Sequence, residues 1–103
     1  MPYIKQESRK LYNELIDDLV EQLYANSVGI PGGNDGQFKG DLNYIFIRTI
    51  LQFRRRMMTE YGSFGYQDQS DCVAALKDCA TEYERRFLAP YEDKKIEENG
   101  DIV

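Results

Sequence analysis

The feature that most constrains the fold is the segment Asp41–Tyr61, because its apolar residues cover more than half of a helix circumference. An α-helix turns by about 100° per residue, so these side chains spread over a wide arc. They are Leu42, Tyr44, Phe46, Ile47, Ile50, Leu51, Phe53, Met57 and Met58. A helix that is apolar over such an arc is buried on more than one side. We therefore expect this helix both at the centre of the fold and on a surface shared between subunits.

Two further amphipathic helices are predicted, from Ser8 to Asn26 and from Ser70 to about Ala89, because apolar residues recur there at three- and four-residue steps. Glycine-rich connections over 27–40 and 62–69 separate the three helices. Asp41 and Ser70 are the expected N-caps, because their side-chain oxygens can accept hydrogen bonds from the first turn.

Pro90 should end or kink the third helix, because proline lacks a backbone N–H and clashes with the preceding turn. The acidic tail Tyr91–Val103 has room for one more helical stretch before Gly100. The sequence thus predicts an all-α protein: a three-helix antiparallel bundle, with the apolar second helix at its centre, forming a single domain over residues 1–103.

The composition excludes several classes of function. The chain of 103 residues has a net charge of −5, two cysteines and no histidine. Without histidine, Ser-His and Cys-His nucleophile pairs and mixed Cys/His zinc sites are impossible. A negative net charge disfavours broad, sequence-independent binding of nucleic acid, which depends on neutralising phosphates. No apolar run approaches the ~20 residues that cross a bilayer, and no signal peptide is recognisable, so we expect a cytoplasmic location without membrane contact.

Two polar residues, Asn43 and Arg54, fall within the apolar arc of the second helix. A buried guanidinium must be paired, because an isolated buried charge is strongly destabilising. One interpretation pairs Arg54 with a carboxylate of the third helix or of another subunit. The other interpretation gives it an anionic ligand.

Three other features have plain structural interpretations. The glycine-rich run over 27–40 lacks the preceding strand and the lysine of a phosphate-binding loop, which favours a linker or an oligomer contact. Cys72 and Cys79 lie about 10 Å apart on one helix face, too far for a disulfide, so we expect small buried thiols. The arginine run Arg54–Arg56 is interpreted as a solvated helix end, with anion recognition as the alternative.

The segment Glu82–Asp101 concentrates arginine, tyrosine and carboxylates around Pro90. Glu82, Arg85 and Arg86 can be interpreted as a salt-bridged helix end. They can equally be interpreted as a site where a guanidinium holds an anion while a tyrosine ring stacks on it, or as an interface hot spot.

Three stretches of the sequence, MPYI, GDLNYIFIRTI and ERRFLAPYEDKKIEENGD, resemble a family of short proteins of unknown function from bacteria, archaea and tailed phages. The resemblance covers most of the chain except 27–39 and 62–67, and the closing motif is long enough to be specific. It implies a helical fold and a bacterial or phage source, but no activity. By motif it points to Asn43, Tyr44, Glu82, Arg85, Arg86 and the segment Pro90–Lys95. The glycine-rich stretch before Gly40 is longer than the family pattern implies.

We expect a non-catalytic, cofactor-free protein that captures a small anionic, nucleotide-like ligand, such as a host signalling nucleotide, at a helix end or subunit interface. The expected ligand-binding residues are Asn43, Tyr44, Arg54, Glu82, Tyr83, Arg85, Arg86, Tyr91 and Lys94. The alternative is an adaptor or inhibitor that docks on a host protein through Tyr91–Val103. A third hypothesis is a small hydrolase using Glu82 or Glu92 with a divalent ion. The protein is also expected to form a homo-oligomer, a dimer by default.

Overall fold

The computed structural model describes residues 2–28 and 37–103, and all regular structure in these ranges is helical. A π-helical segment joins the third and fourth α-helices. The elements are α1 (Gln6–Ser27), α2 (Gln37–Tyr61), α3 (Tyr66–Tyr83), the π segment (Glu84–Leu88) and α4 (Ala89–Asn99). The prediction of an all-α fold built on three long helices is confirmed. No helix within the described ranges is both long and apolar enough to span a bilayer.

The described residues group into two compact units. The first unit contains α1, α2 and the turn that follows, within Ile4–Phe64. The second unit contains α3, the π segment and α4, within Gly65–Val103, together with the described part of Met1–Tyr3.

The second helix begins at Gln37, ahead of the start predicted at Asp41, so Asp41 is not an N-cap. Its carboxylate instead accepts a hydrogen bond from the hydroxyl of Ser27 at the end of α1, and Ser27 is fully buried. Gly40 lies inside the helix, where a glycine costs only about 1 kcal/mol relative to alanine. The predicted linker role of the glycine-rich run falls mainly on 29–36, outside the described residues.

The third helix begins at Tyr66, before the predicted start at Ser70. Its N-cap is Gly65, whose backbone N–H donates to the carboxylate of Asp68 over 3.0 Å. This bond satisfies the N–H of Gly65, which has no hydrogen-bond partner within the helix. The negative charge of Asp68 in the first turn also interacts favourably with the positive end of the helix dipole. Gly65 and Asp68 therefore cap the N-terminus of α3, the role that was expected of Ser70.

The chain remains helical through Pro90, where the sequence predicted a stop or a kink. Over Glu84–Leu88 the hydrogen bonding widens to the π pattern, with the N–H of Ala89 donating to the carbonyl of Glu84. Pro90 then falls in the first turn of α4, where a missing N–H is tolerated. The predicted extra helical stretch before Gly100 is confirmed as α4, which ends at Asn99.

Very little of the described chain is buried. Phe64 is its one buried apolar residue, and the Phe64 ring meets Phe53 edge to face, with 6.3 Å between the centroids. No residue of α2 is buried, so the burial that the apolar arc of α2 predicts is not found among the described residues. Sharing of that surface with a second copy stays a prediction.

The burial expected for three polar or reactive side chains is not found within the chain. Arg54 is exposed. Cys79 is exposed as well, and Cys72 is only half-buried. Both thiols are free, as the spacing predicted.

Candidate anion-binding site

The candidate site forms where α3 passes into the π segment, around the carboxylate of Glu82. Arg85 and Arg86 lie three and four residues further on, and helix neighbours at these spacings face each other. Tyr3, from the start of the chain, completes the cluster. The spacing of Glu82, Arg85 and Arg86 follows from the sequence, whereas the contact of Tyr3 with them depends on the fold.

One carboxylate oxygen, Oε1 of Glu82, accepts a hydrogen bond from each of the other three side chains of the cluster. Arg85 Nη2 donates to it over 2.7 Å, and Arg86 Nε and the hydroxyl of Tyr3 also donate to it. The hydroxyl oxygen of Tyr3 in turn accepts from Arg86 Nη2 over 2.9 Å and from Arg85 Nη2 over 3.3 Å. The guanidinium carbon of Arg86 lies 5.7 Å from the centroid of the Tyr3 ring, within cation–π range.

These contacts shift the pKa values of Glu82, Arg85 and Arg86. The hydrogen bond from Tyr3, followed by those from Arg86 and Arg85, lowers the pKa of Glu82 from 4.5 to about 2. The bond to Glu82, and next the contact with Tyr3, raises the pKa of both Arg85 and Arg86. All three groups are therefore ionised at neutral pH, and Glu82 is unable to act as a proton donor there.

Charge and exposure in the cluster favour an incoming anion. Two guanidinium groups meet a single carboxylate, so Glu82, Arg85 and Arg86 together carry one excess positive charge. The Glu82 side chain is only 20% exposed, whereas Arg85 is 64% exposed and Arg86 52%. The carboxylate is thus covered by its donors, and the outer sides of the arginines face solvent.

The expected stacking residues and Lys94 lie in the same unit as the cluster. The ring of Tyr83 packs against Phe87, with 4.9 Å between the centroids and 44° between the planes. Tyr91 has the ammonium of Lys95 at 5.6 Å from its ring centroid. Lys94 is exposed on α4. Both tyrosines remain well exposed, so each keeps ring surface for a ligand.

The other three expected site residues, Asn43, Tyr44 and Arg54, belong to α2 and to the other unit. Tyr44 lines a cavity of about 230 Å³ between α1 and α2, and apolar side chains such as Leu23 form part of the wall. Asn43 and Arg54 are exposed on the helix surface. Within the described residues of that unit, no carboxylate pairs with Arg54, and a ligand role for these three residues stays a prediction.

Tyr3 is the member of the cluster that the sequence reasoning missed. Its motif, MPYI, was singled out only for its resemblance to a family, and no role was expected of the tyrosine. The contact could not be predicted from local spacing, because Tyr3 and Glu82 are 79 positions apart in the chain. The sequence feature that could have indicated contact of Tyr3 with the cluster is that the opening motif, MPYI, and the closing motif, which contains Arg85 and Arg86, occur in the same chain.

No group of three or more metal-ligating side chains occurs within residues 2–28 and 37–103. The hydrolase hypothesis assigned a divalent ion to Glu82 or Glu92. Two of the donors to Glu82 are guanidinium groups, whose positive charges favour an anion and repel a metal ion.

Comparison with known families adds a classification. A family model described as "Domain of unknown function (DUF6899)" matches residues 1–102. The chain belongs to this family. Searches of curated proteins and of solved structures give no match. The resemblance inferred from the motifs is thereby confirmed as membership of a family of unknown function that spans nearly the whole chain.

Proposed function

We propose that the protein binds a small anionic, nucleotide-like ligand at Arg85 and Arg86, without catalysing its conversion. The supporting observation is that both arginines are oriented by Glu82 and Tyr3 yet remain at least half exposed. Orientation in advance reduces the side-chain entropy that binding would cost. The planar guanidinium group suits phosphate oxygens, which it can meet with two parallel N–H donors.

Exposed aromatic rings near the arginines favour a ligand that carries a base over a bare anion. Tyr83 immediately follows Glu82 and is 65% exposed, and Tyr91 on α4 is 59% exposed. Stacking of a base on an aromatic ring contributes about 1–3 kcal/mol. In the proposed complex, Arg85 and Arg86 hold the phosphate while one of these rings stacks on the base.

The test measures the melting temperature, Tm, of the protein with inorganic phosphate and with mono-, tri- and cyclic nucleotides. A ligand that binds only the folded protein stabilises it by about 2.7 kcal/mol at a hundred times its Kd. At least one nucleotide should raise Tm in the unmodified chain and in Arg55→Gln, a control that removes an exposed arginine of α2. Arg86→Gln should remove the shift.

Two results would contradict the proposal: no nucleotide raises Tm, or Arg86→Gln keeps the full shift. The second result would mean that Arg86 serves only the salt-bridged helix end. Tyr83→Leu and Tyr91→Leu test the stacking role separately. One of them should weaken the nucleotide shift while leaving any shift with inorganic phosphate unchanged.

A second candidate function, docking on a host protein through the C-terminal segment, is supported by the surface of α4. No residue of α4 is buried, and Tyr91 and Ile96 of α4 leave apolar surface exposed, as does Leu88 just before the helix. A helix with an uncovered apolar edge suits a groove on a partner protein. Binding of a host protein that is lost in Ile96→Asp, with no Tm shift from any nucleotide, would favour this function.

The proposal includes the cellular location and the biological role that the sequence analysis predicts. It places the protein in the cytoplasm of a bacterium, or of an infected host if a phage encodes the chain, where it would sequester a signalling nucleotide. This part is supported by the motif resemblance alone and by analogy. The genes adjacent to the one that encodes this chain would test it.

A further inference from the structure

One face of α2 carries a regular stripe that is distinct from the candidate anion-binding site. Its members follow one another at alternating steps of three and four residues from Tyr44 to the end of the helix. They are Tyr44, Ile47, Leu51, Arg54, Met58 and Tyr61, named here the α2 seam. Alternating three- and four-residue steps are the a and d positions of a heptad, the pattern by which helices pair in coiled coils.

The α2 seam is exposed along its length. Tyr44 is 63% exposed, Leu51 51% and Tyr61 77%, and the other members are exposed as well. Each side chain leaves roughly 100 Å² accessible, so the seam and the arginine stems beside it approach the ~800 Å² per partner of a standard interface. The exposed area is therefore of the order that a specific contact with another molecule buries.

The charges of the neighbouring helices favour a second copy of the same chain as that molecule. α2 contains five basic and two acidic residues, and α1 contains five acidic and two basic residues. Arg48 and Arg55 directly follow seam members, so they lie at the edge of the stripe. No ion pair joins α1 to α2 among the described residues of one chain, and α1 packs beside α2. When two seams pair, Arg48 and Arg55 of one copy can therefore meet acidic side chains of the partner's α1.

Arg54 is the polar member of an otherwise apolar or aromatic seam. A single polar residue at such a position weakens the pairing of helices but restricts register and the number of strands. A guanidinium that becomes partly buried at an interface must find a partner group or remain near solvent. Arg54 thus combines exposure within one chain with a position suited to specifying how two chains meet.

We propose that the α2 seam packs against the α2 seam of a second copy, so that the two helices form the interface of a homodimer. Arg54 restricts the register of the pair. The inference rests on α1 and α2 and is independent of the ligand proposed for Arg85 and Arg86, which lie in the other unit.

The test is sedimentation at several protein concentrations, combined with circular dichroism to measure helix content. The unmodified chain should associate, and Leu51→Asp should weaken the association at least a hundredfold by placing a charge in the seam. Thr49→Asp introduces the same charge on the same helix outside the seam, so it should associate like the unmodified chain. Arg54→Leu should tighten the association about tenfold by removing the polar member.

Tyr61→Ser is a second seam variant that keeps the test decisive if Leu51→Asp loses helix content. Tyr61 is the most exposed seam member, so its removal should weaken association without disturbing the folded chain. A chain that stays monomeric at all concentrations would overturn the proposal. Association that is equally strong in the unmodified chain, Leu51→Asp and Tyr61→Ser would overturn it too, because another surface would then be responsible.

Discussion

Two glycines at opposite ends of α2 should respond to alanine with opposite signs. Gly40 lies within the helix, without a positive φ. Gly62 follows the last helical residue with φ of 76°, and its N–H donates to the carbonyl of Met58 over 2.9 Å. At both positions an added Cβ would meet no atom within 4 Å, so backbone conformation and not crowding decides the outcome.

The expected magnitudes follow from the two backbone conformations. At Gly40, alanine restricts the unfolded chain and suits the helix, so the free energy of unfolding should rise by about 0.5–1 kcal/mol. At Gly62, a left-handed conformation costs an L-residue about 1–2 kcal/mol, and restriction of the unfolded chain recovers about 0.4–1 kcal/mol. Gly62→Ala should therefore destabilise by about 1 kcal/mol, and the two variants should differ by about 2 kcal/mol.

Urea unfolding followed by circular dichroism measures both values, at one protein concentration because association would also stabilise the folded chain. A change of 1 kcal/mol corresponds to roughly 4–8 °C in Tm for a domain of this size. Gly62→Asn is the control, because asparagine tolerates the left-handed region and should cost less than alanine. Shifts of the same sign for Gly40→Ala and Gly62→Ala would refute the reasoning.

Two further predictions concern the buried ring and the carboxylate cluster. Phe64→Ala should cost about 3 kcal/mol, from lost burial and the edge-to-face contact with Phe53, whereas Tyr66→Ala, at an 87% exposed residue, should cost less than about 0.5 kcal/mol. A similar cost for both in urea unfolding would contradict the assignment of Phe64 as the buried residue. Since the folded pKa of Glu82 is lowered to about 2, its stabilising contribution should be complete above about pH 4.5 and lost as pH falls towards 2. Carboxyl NMR should show this low midpoint, and Tyr3→Phe should raise it; a midpoint near 4.5 in the unmodified protein would contradict the hydrogen-bonded cluster.

The helices and the core of the candidate site could be predicted because both depend on local spacing. Apolar periodicity indicated three helices, and Glu82, Arg85 and Arg86 face one another because three- and four-residue steps return to the same helix face. The boundaries were less accurate. Glycine and proline were interpreted as breaks, whereas Gly40 lies inside α2 and the π segment accommodates Pro90 in the first turn of α4.

Only the tertiary structure decided which residues that are distant in the sequence come into contact. Tyr3 reaches Glu82 from the other end of the chain, Ser27 is buried against Asp41, and the ring of Phe64 returns to Phe53. None of these contacts has a periodic signal, because each depends on the path of the chain between the partners. The sequence by itself determined the helices and the charges along each helix face, since both follow from the 3.6-residue turn. The fold determined which side chain covers the carboxylate of Glu82 and which apolar side chains are exposed among the described residues.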